Sequence, residues 1–452
     1  VFRMEVYDLL VVGAGPGGCI AAKTASRLGL KVLILERLPR ERVGDKVCGD
    51  AVGRHHFDEL ALSYPKGDEL ALRIKGIDVF SPDGEVRFRV EGEGLHGFMI
   101  NRLFFGQRLL NEALNAGAEL MDKVLVEDVV VKDGYVVGVR GRRDGFKVEF
   151  KGRLTIDASG YVARLRRRLP REWGFEEVAD EDMVSCYREI RLLDGEVEDP
   201  DYCKVYLSHA LAPGGYIWVF PKGGRVVNAG LGVQMRSGFP NPRILFSKAV
   251  LGREGFRGSK LIHGGGGVVP TRRPLNCLVA NGFMVVGDAA CQANPLHGGG
   301  IGPSMRAGSI AARVAAEALR RGDVSREGLW GYNVEYAKNY GAKQAGLDLF
   351  RMLLQSISDE DINYGMKHRL ITEQDLLKAS MGDRVRLNLT EKVERLFKGV
   401  GRLSLLRRLE AMSKAVDSAR SLYQAYPPPS GFIEWCKNVE GLIEGYRRAL
   451  KG

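Results

Sequence analysis

The chain has 452 residues, 45% hydrophobic and 27% charged, the proportions of a globular protein with room for about two or three domains. No apolar run approaches the ~18 residues of a spanning helix, and the charged stretch Val1–Tyr7, running straight into a glycine motif, is unlike a secretory signal. Seven cysteines without C-x-x-C spacing argue against a zinc or iron–sulfur centre, no metal is expected, and their odd number suits a reducing cytoplasm.

In chain order, Tyr7–Val12 is predicted as a buried strand that runs into Gly13-Ala14-Gly15-Pro16-Gly17-Gly18. In this G-x-G-x-x-G pattern Gly13 permits a tight turn, Gly15 lets the backbone approach a pyrophosphate, and Gly18 lets the following helix pack on its strand. Pro16 suits a first helical turn, where its missing N–H has no partner to lose. The free N–H groups and the positive end of the helix dipole then face the phosphates. Lys31–Leu35 reads as the next strand and delivers Glu36 to its end, where a carboxylate accepts hydrogen bonds from an adenosine ribose. A short loop with Gly44, Lys46, Cys48 and Gly49 follows, with Arg54, His55 and His56 just beyond.

Short strands are predicted at Ile77–Phe80, Val86–Val90 and Gly97–Ile100, and Asn101 reads as the N-cap of a helix over Arg102–Ala116 that Gly117 closes. Val124–Val131, Val136–Val139 and Lys147–Phe150 read as a β-meander turned at Asp133-Gly134 and Asp144-Gly145. A separate strand, Arg153–Ile156, enters Asp157-Ala158-Ser159-Gly160, and from Met183 to Val233 the pattern is that of another antiparallel sheet. Near Leu278 the first domain resumes: Phe283–Val286 is a buried strand entering Gly287-Asp288, and Pro295, Gly298, Gly300 and Ile301 form a second glycine-rich helix start. From Arg306 the chain is mostly helical, broken at Pro427-Pro428-Pro429; Tyr332, Tyr336 and Tyr340 recur at helical spacing and read as core. Met381–Gly452 holds 14 Lys and Arg against 8 Asp and Glu, a surplus of six within a net charge of +11. Such a face suits an anionic membrane surface or a phosphorylated ligand; without a recognition module or interleaved aromatics, nucleic acid is not an expected partner.

A dinucleotide-binding domain interrupted by an antiparallel sheet and resumed at a G-D motif resembles the flavoprotein family that includes p-hydroxybenzoate hydroxylase, over residues from about 7 to 320. The implied fold class is α/β. It has a Rossmann-like FAD-binding domain (1–75, 101–180 and 278–330), an inserted antiparallel substrate domain (76–100 and 181–277) and a helical C-terminal region (331–452). FAD is the implied cofactor. The resemblance gives its pyrophosphate to Gly13, Gly15, Pro16, Gly17 and Gly18, its ribose to Glu36 and its ribityl chain to Asp288. Asp157 and Gly160, in a D-x-x-G stretch, close around the dinucleotide, and Arg102 takes the place of a flavin-contacting arginine. Gly298, Gly300 and Ile301 turn N–H groups to the flavin ring, where a helix N-terminus stabilises the anionic reduced form. Arg37, Cys48, Gly49, Ala51 and Val126 complete the cofactor set.

Pro213-Gly214-Gly215-Tyr216-Ile217-Trp218-Val219-Phe220-Pro221 fits P-x-x-Y-x-W-x-F-P, and Cys48-Gly49 follows the ribose-binding acid by a short loop. Together they resemble the geranylgeranyl reductase family, whose members saturate isoprenoid double bonds with reduced FAD. On a strand Tyr216, Trp218 and Phe220 share one face, an aromatic wall for an apolar chain. Burying about twenty carbons at ~0.8 kcal/mol per CH2 yields on the order of 15 kcal/mol before entropic losses. Pro221 completes the motif, and Lys46 and His55, or Lys222, are placed to hold an anionic head group. Cys48 is the candidate proton donor at the flavin, since a thiol with an ordinary pKa of ~8.5 stays protonated at neutral pH. The implied reaction is hydride delivery to one alkene carbon and a proton to the other. The partners are a polyprenyl diphosphate or prenylated glycerophospholipid and an external donor such as NAD(P)H or ferredoxin, with the protein cytoplasmic or peripheral on the inner face of the membrane. The alternatives left open are a flavin monooxygenase or epoxidase, a halogenase, and a non-catalytic prenyl-lipid escort.

Overall fold

The computed structural model describes residues 5–381 and 402–451. Val1–Met4, Gly452 and residues 382–401, part of the basic C-terminal stretch, lie outside the described residues.

Strand β1 (Val6–Val12) is buried from Leu9 to Val12, as a parallel strand covered on both faces must be. It lies centrally in an eight-stranded sheet, flanked by β2 (Val32–Leu35) and then β8 (Glu119–Met121) on one side, and by β11 (Phe146–Asp157), β18 (Phe283–Val285) and β17 (Val279–Ala280) on the other. The meander, β9 (Val124–Lys132) and β10 (Tyr135–Arg143), extends from β11. Its turns fall at the expected dipeptides, with positive φ at Asp133, Gly134, Asp144 and Gly145, the pairing a two-residue hairpin turn requires. The two strands predicted at Lys147–Phe150 and Arg153–Ile156 are one: β11 runs through Gly152, pairing antiparallel with β10 in its first half and parallel with β1 in its second. Gly152 is a point of close approach, where a Cβ would lie 2.6 Å from the Leu10 side chain.

Helix α1 (Pro16–Arg27) follows β1; α2 (His55–Glu59) is a single turn; α3 (Arg102–Asn115) packs on α1. Asn101 stands at the α3 N-cap position but caps nothing, because its Nδ2 donates instead to the Asp68 carbonyl at 2.7 Å.

A second sheet has seven strands in the order β16 (Lys260–Pro270), β12 (Met183–Leu192), β15 (Val226–Gln234), β14 (Ile217–Pro221), β13 (Tyr202–Tyr206), β5 (Gly76–Phe80) and β6 (Arg87–Glu91). One face carries Ile217, Val219, Ala229 and Leu231 into an apolar cluster closed by Phe246 of α4 (Pro242–Phe246) and the π-helical turn after it. Gly97–Ile100 joins neither large sheet: as β7 it lies between β3 (Ala51–Gly53) and β4 (Leu70–Ile74) in a three-stranded sheet.

Helix α5 (Ile301–Arg321) returns against α1, close enough that a Cβ on Gly308 would lie 2.2 Å from the Gly17 carbonyl oxygen. The later helices α6 (Gly331–Tyr336), α7 (Ala342–Ser356), α8 (Asp359–Lys367), α9 (Glu373–Met381), α10 (Leu403–Gln424) and α11 (Phe432–Lys451) contribute to the same core as the first sheet, and the α10–α11 break falls at the prolines. Tyr332, Tyr336 and Tyr340 are core residues; the Tyr332 hydroxyl donates to the Val285 carbonyl and the Tyr336 hydroxyl to Gln344.

Candidate active site

The parallel registers align Val12 with Leu35 and Asp157, and Asp157 with Val285, so the carboxyl ends of β2, β1, β11 and β18 present Glu36, Gly13, Asp157 and Gly287-Asp288 side by side. That end of a parallel sheet is where open α/β folds bind ligands. A Cβ on Gly18 would lie 1.9 Å from the Gly13 carbonyl oxygen, and one on Gly13 2.4 Å from that of Ala158, so both positions need glycine. A Cβ on Gly15 would meet nothing within 4 Å, and no side chain caps α1, whose first N–H groups face that opening. Glu36 is buried and accepts from the Ala14 N–H at 2.8 Å and the Leu38 N–H at 2.9 Å, tying the ribose-side acid to the glycine turn.

Asp157 has a different task from the one expected of it. Its fully buried carboxylate accepts from the backbone N–H groups of Ser159, Leu165 and Arg166 at 3.0, 3.0 and 2.8 Å, so it shapes the loop and leaves no oxygen facing a ligand. Val126 is buried, Arg37 is exposed beyond Glu36, Ala51 sits in β3, and Gly160 follows Asp157 at φ +78°.

Asp288 stands before the uncapped start of α5, where a Cβ on Gly300 would lie 3.1 Å from its Oδ1. The Lys46 ammonium, expected at an anionic head group, reaches Asp288 at 3.4 Å. Arg102 is buried, yet its Nε and Nη1 have no partner in the protein. Uncapped helix starts on α1 and α5, an open Gly15 and orphaned Arg102 donors are what an anionic dinucleotide such as FAD fits.

The aromatic wall exists as expected: the Tyr216 and Trp218 rings lie 6.0 Å apart and those of Trp218 and Phe220 6.3 Å apart. The Tyr216 hydroxyl donates to the His297 carbonyl at 2.7 Å, joining the wall to the glycine-rich start of α5. The Cys48 loop lies on this wall, since a Cβ on Gly49 would come within 3.3 Å of the Phe220 ring. Burial pushes the Cys186 thiol up to about 12, and nearby Cys48 adds to the shift. The Cys48 sulfur accepts from the Asp50 N–H at 3.3 Å.

A buried network that the sequence did not disclose clamps the loop. Asn228 donates to the Cys48 carbonyl at 2.8 Å and to Asp50 Oδ2 at 2.9 Å, and it accepts from the Trp218 indole at 3.0 Å. Lys222 donates to Asp50 at 2.8 Å and to the Ile100 carbonyl at 2.9 Å. Lys222 is therefore a buried counter-ion to Asp50, not a cation free for a head group. Asp50, a residue in left-handed backbone at φ +67°, follows Gly49 directly; an acid in that tight loop was the one available signal.

His55 packs against His56 with ring centres 3.9 Å apart, and neither Nδ1 has a partner. Burial, reinforced by the Lys343 and Arg306 charges, pushes His55 down to about 4, so at neutral pH it carries no charge for an anionic head group. In the basic C-terminal stretch, Arg402 pairs with Asp361, Arg408 donates to the Ser356 carbonyl and Lys414 pairs with Glu410. Among the described residues no cluster of His, Cys, Asp or Glu is arranged to hold a metal, and no helix is long and apolar enough to cross a membrane.

Residues 8–188 match the family of FAD dependent oxidoreductases, and residues 182–269 match the geranylgeranyl reductase catalytic domain. A digeranylgeranylglycerophospholipid reductase of Sulfolobus acidocaldarius is 40% identical over 449 residues, 98% of this chain and 99% of that one. The chain belongs to the geranylgeranyl reductase family. Another member, a digeranylgeranylglycerophospholipid reductase of Methanothrix thermoacetophila, is 33% identical over 84% of this chain and 95% of its own length. Among solved structures, a geranylgeranyl bacteriochlorophyll reductase-like protein of Thermoplasma acidophilum superposes with a TM-score of 0.76 at 25% identity, covering 90% of this chain and 100% of that one. A halogenase, 18% identical with a TM-score of 0.63 over 98% of this chain and 96% of that one, shares the fold alone. As a geranylgeranyl reductase family member the protein is an FAD-dependent oxidoreductase, and the segment matched to the family's catalytic domain spans β12 to β16, the strands of the aromatic wall.

Proposed function

We propose that the protein saturates the isoprenoid double bonds of geranylgeranyl chains, carried on a diphosphate or on a digeranylgeranylglycerophospholipid, in the synthesis of archaeal-type membrane lipids. The observation that carries this reading is the clamping of the Cys48 loop onto the Tyr216, Trp218 and Phe220 wall beside the glycine-rich start of α5.

Bound and reduced, FAD supplies the hydride equivalent for one alkene carbon. Gly13, Gly15 and Gly18 would let the backbone hold the pyrophosphate, Glu36 would take the ribose, and Arg102 and the first N–H groups of α5 would carry positive potential to the anionic parts of the cofactor. Asp288, with Lys46 balancing its charge, would accept from the ribityl hydroxyls. The wall excludes water and orients the chain. Cys48 Sγ, held by the Asp50 N–H, supplies the proton to the second alkene carbon. Asn228 and Asp50 position that thiol through the backbone of its loop. The electrons enter from an external donor, NAD(P)H or ferredoxin.

Anaerobic incubation of chemically reduced enzyme with geranylgeranyl diphosphate tests the reading by mass. Gains of about two mass units per double bond are expected for alkene reduction by a flavin. Oxygen insertion in air, or a colourless protein that binds prenyl lipid without turnover, would replace it with a monooxygenase or an escort.

A further inference from the structure

Residues directly opposite one another in a sheet share a face. In the seven-stranded sheet Trp218 faces Gly230, Gly230 faces Arg188, and Arg188 faces Gly265, a row running from the aromatic wall to the edge strand. Two residues along, Phe220, Asn228, Ile190 and His263 form the next row on the same face. The lack of side chains at Gly230 and Gly265 decides what fills this face. A Cβ on Gly230 would lie 2.4 Å from the Trp218 ring and 2.6 Å from the Arg188 Cβ, so the indole lies across Gly230 and reaches the arginine stem. A Cβ on Gly265 would lie 2.7 Å from Val47, so the loop leading to Cys48 covers the other side. Arg188 thus sits between the aromatic wall and the Cys48 loop.

Its electrostatic situation is unusual. Arg188 is 5% exposed and pairs with no carboxylate among the described residues. The neighbouring Glu189 points to the opposite face and pairs with Arg191, while Asp50, the acid on this side, pairs with Lys222. Its hydrogen-bond partner brings no negative charge: Nη1 lies 2.8 Å from His263 Nδ1, and Nε is buried with no partner. A guanidinium has no lone pair to offer, so it donates, His263 Nδ1 accepts, and the imidazole proton is on Nε2. That leaves the Arg188 Nε–H as a buried donor without an acceptor. A buried cation without a counter-ion is costly unless a ligand supplies the negative charge. A planar fork of donors suits the oxygens of a phosphate.

We propose that Arg188, oriented by His263, binds the phosphate of the prenyl substrate. This rests on the reading of the protein as a reductase of geranylgeranyl chains and adds the residue that recognises the head group. The phosphate would be held beside Trp218, at the middle of the wall, which fixes the register of the chain against Cys48. A terminal diphosphate and a glycerophosphodiester share this chemistry.

The test compares FAD-loaded wild-type protein with Arg188→Gln and Arg188→Lys on chains that differ only at the head: geranylgeranyl diphosphate, a digeranylgeranylglycerophosphate and neutral geranylgeraniol. Losing a charge-assisted pair should lower the selectivity for phosphorylated over neutral chain, as a ratio of kcat/KM, by about 10- to 100-fold in Arg188→Gln, through KM. Arg188→Lys should recover part of it. The phosphorylated substrate whose selectivity falls further identifies the head group in use. Calorimetric titration with inorganic diphosphate gives a readout independent of turnover, and the wild-type signal should weaken in Arg188→Gln. An unchanged selectivity ratio together with unchanged diphosphate binding would overturn the proposal. So would a shifted flavin spectrum or lost FAD with KM unchanged, which would make Arg188 a cofactor-side charge. If the wild type binds diphosphate through Arg188 but reduces none of the three chains, it is the reductase reading that fails.

Discussion

Lys222→Met is the sharpest perturbation of the network that clamps the Cys48 loop. The Lys222 and Asp50 side chains are 9% and 4% exposed and their charges lie 2.8 Å apart. Removing the ammonium leaves the Asp50 carboxylate with Asn228 at 2.9 Å on one oxygen and no partner on the other, and it frees the Ile100 carbonyl. Breaking a buried pair from one side costs about 3–5 kcal/mol, because the remaining charge is uncompensated. The double variant Asp50→Asn/Lys222→Met removes both charges while the new amide can still accept from Asn228, so it should recover about 2 kcal/mol or more as a favourable coupling. Urea denaturation of the FAD-loaded proteins at one pH measures both quantities. Asn228 also holds the Cys48 carbonyl and the Trp218 indole, so single-turnover alkene reduction should fall in Lys222→Met and partly return in the double variant. A loss below about 1 kcal/mol, typical of an exposed ion pair, or additive single effects would refute the claim that this network holds the loop.

The cofactor assignment predicts that Asp288→Ala and Arg102→Met lower the FAD released per protein on denaturation, and that Glu36→Ala weakens binding by about 1–3 kcal/mol; full occupancy in all three would remove the assignment. For the thiol, Cys48→Ser keeps a donor and Cys48→Ala does not, so with FAD retained in both, single-turnover reduction should be slower in Cys48→Ala; equal rates near wild type would move the proton source elsewhere. The histidine pair predicts a pH dependence of stability. Burial and the Lys343 and Arg306 charges hold His55 at about 4 against an ordinary 6.5, and burial with the His55 and Arg306 charges holds His56 well below it. Between these values the unfolded chain binds more protons than the folded one, so stability should fall as pH drops from about 6.5 towards 4, by at most about 1.4 kcal/mol per pH unit for each histidine. Urea unfolding across that window checks the slope, which His56→Phe should flatten.

What could be read from the chain alone were features carried by neighbours in sequence. Gly13 to Gly18 after a buried run, Glu36 at the next strand end, Asp-Gly turns at 133–134 and 144–145, and alternating aromatics from Tyr216 to Phe220 each declare a local geometry through backbone sterics or periodicity. The fold class followed from their order. Where the local signal was ambiguous, tertiary contact settled it. Gly152 looks like a break between strands, yet a glycine also fits where Leu10 presses on the backbone, and β11 runs through it. Asn101 has the chemistry of a cap but finds a better-placed carbonyl at Asp68.

The charged residues divide the same way. A single Lys, Asp or Arg has no periodicity that reports its partner, because its energy depends on what is brought beside it and on how much water is removed. Lys46 and Lys222 have equal claims on a phosphate in the sequence, and only the fold sends one to Asp288 and the other to Asp50. Asp157 sits in a ligand-like motif, and only the path of the following loop shows three N–H groups closing on it. Arg188 is one arginine among 67 basic residues until β14, β15, β12 and β16 align and leave it buried without a carboxylate. Backbone geometry is a short-range property and was legible in the sequence; electrostatic partnership joins residues far apart in the chain, 242 positions for Lys46 and Asp288 and 172 for Lys222 and Asp50, and so belonged to the tertiary structure.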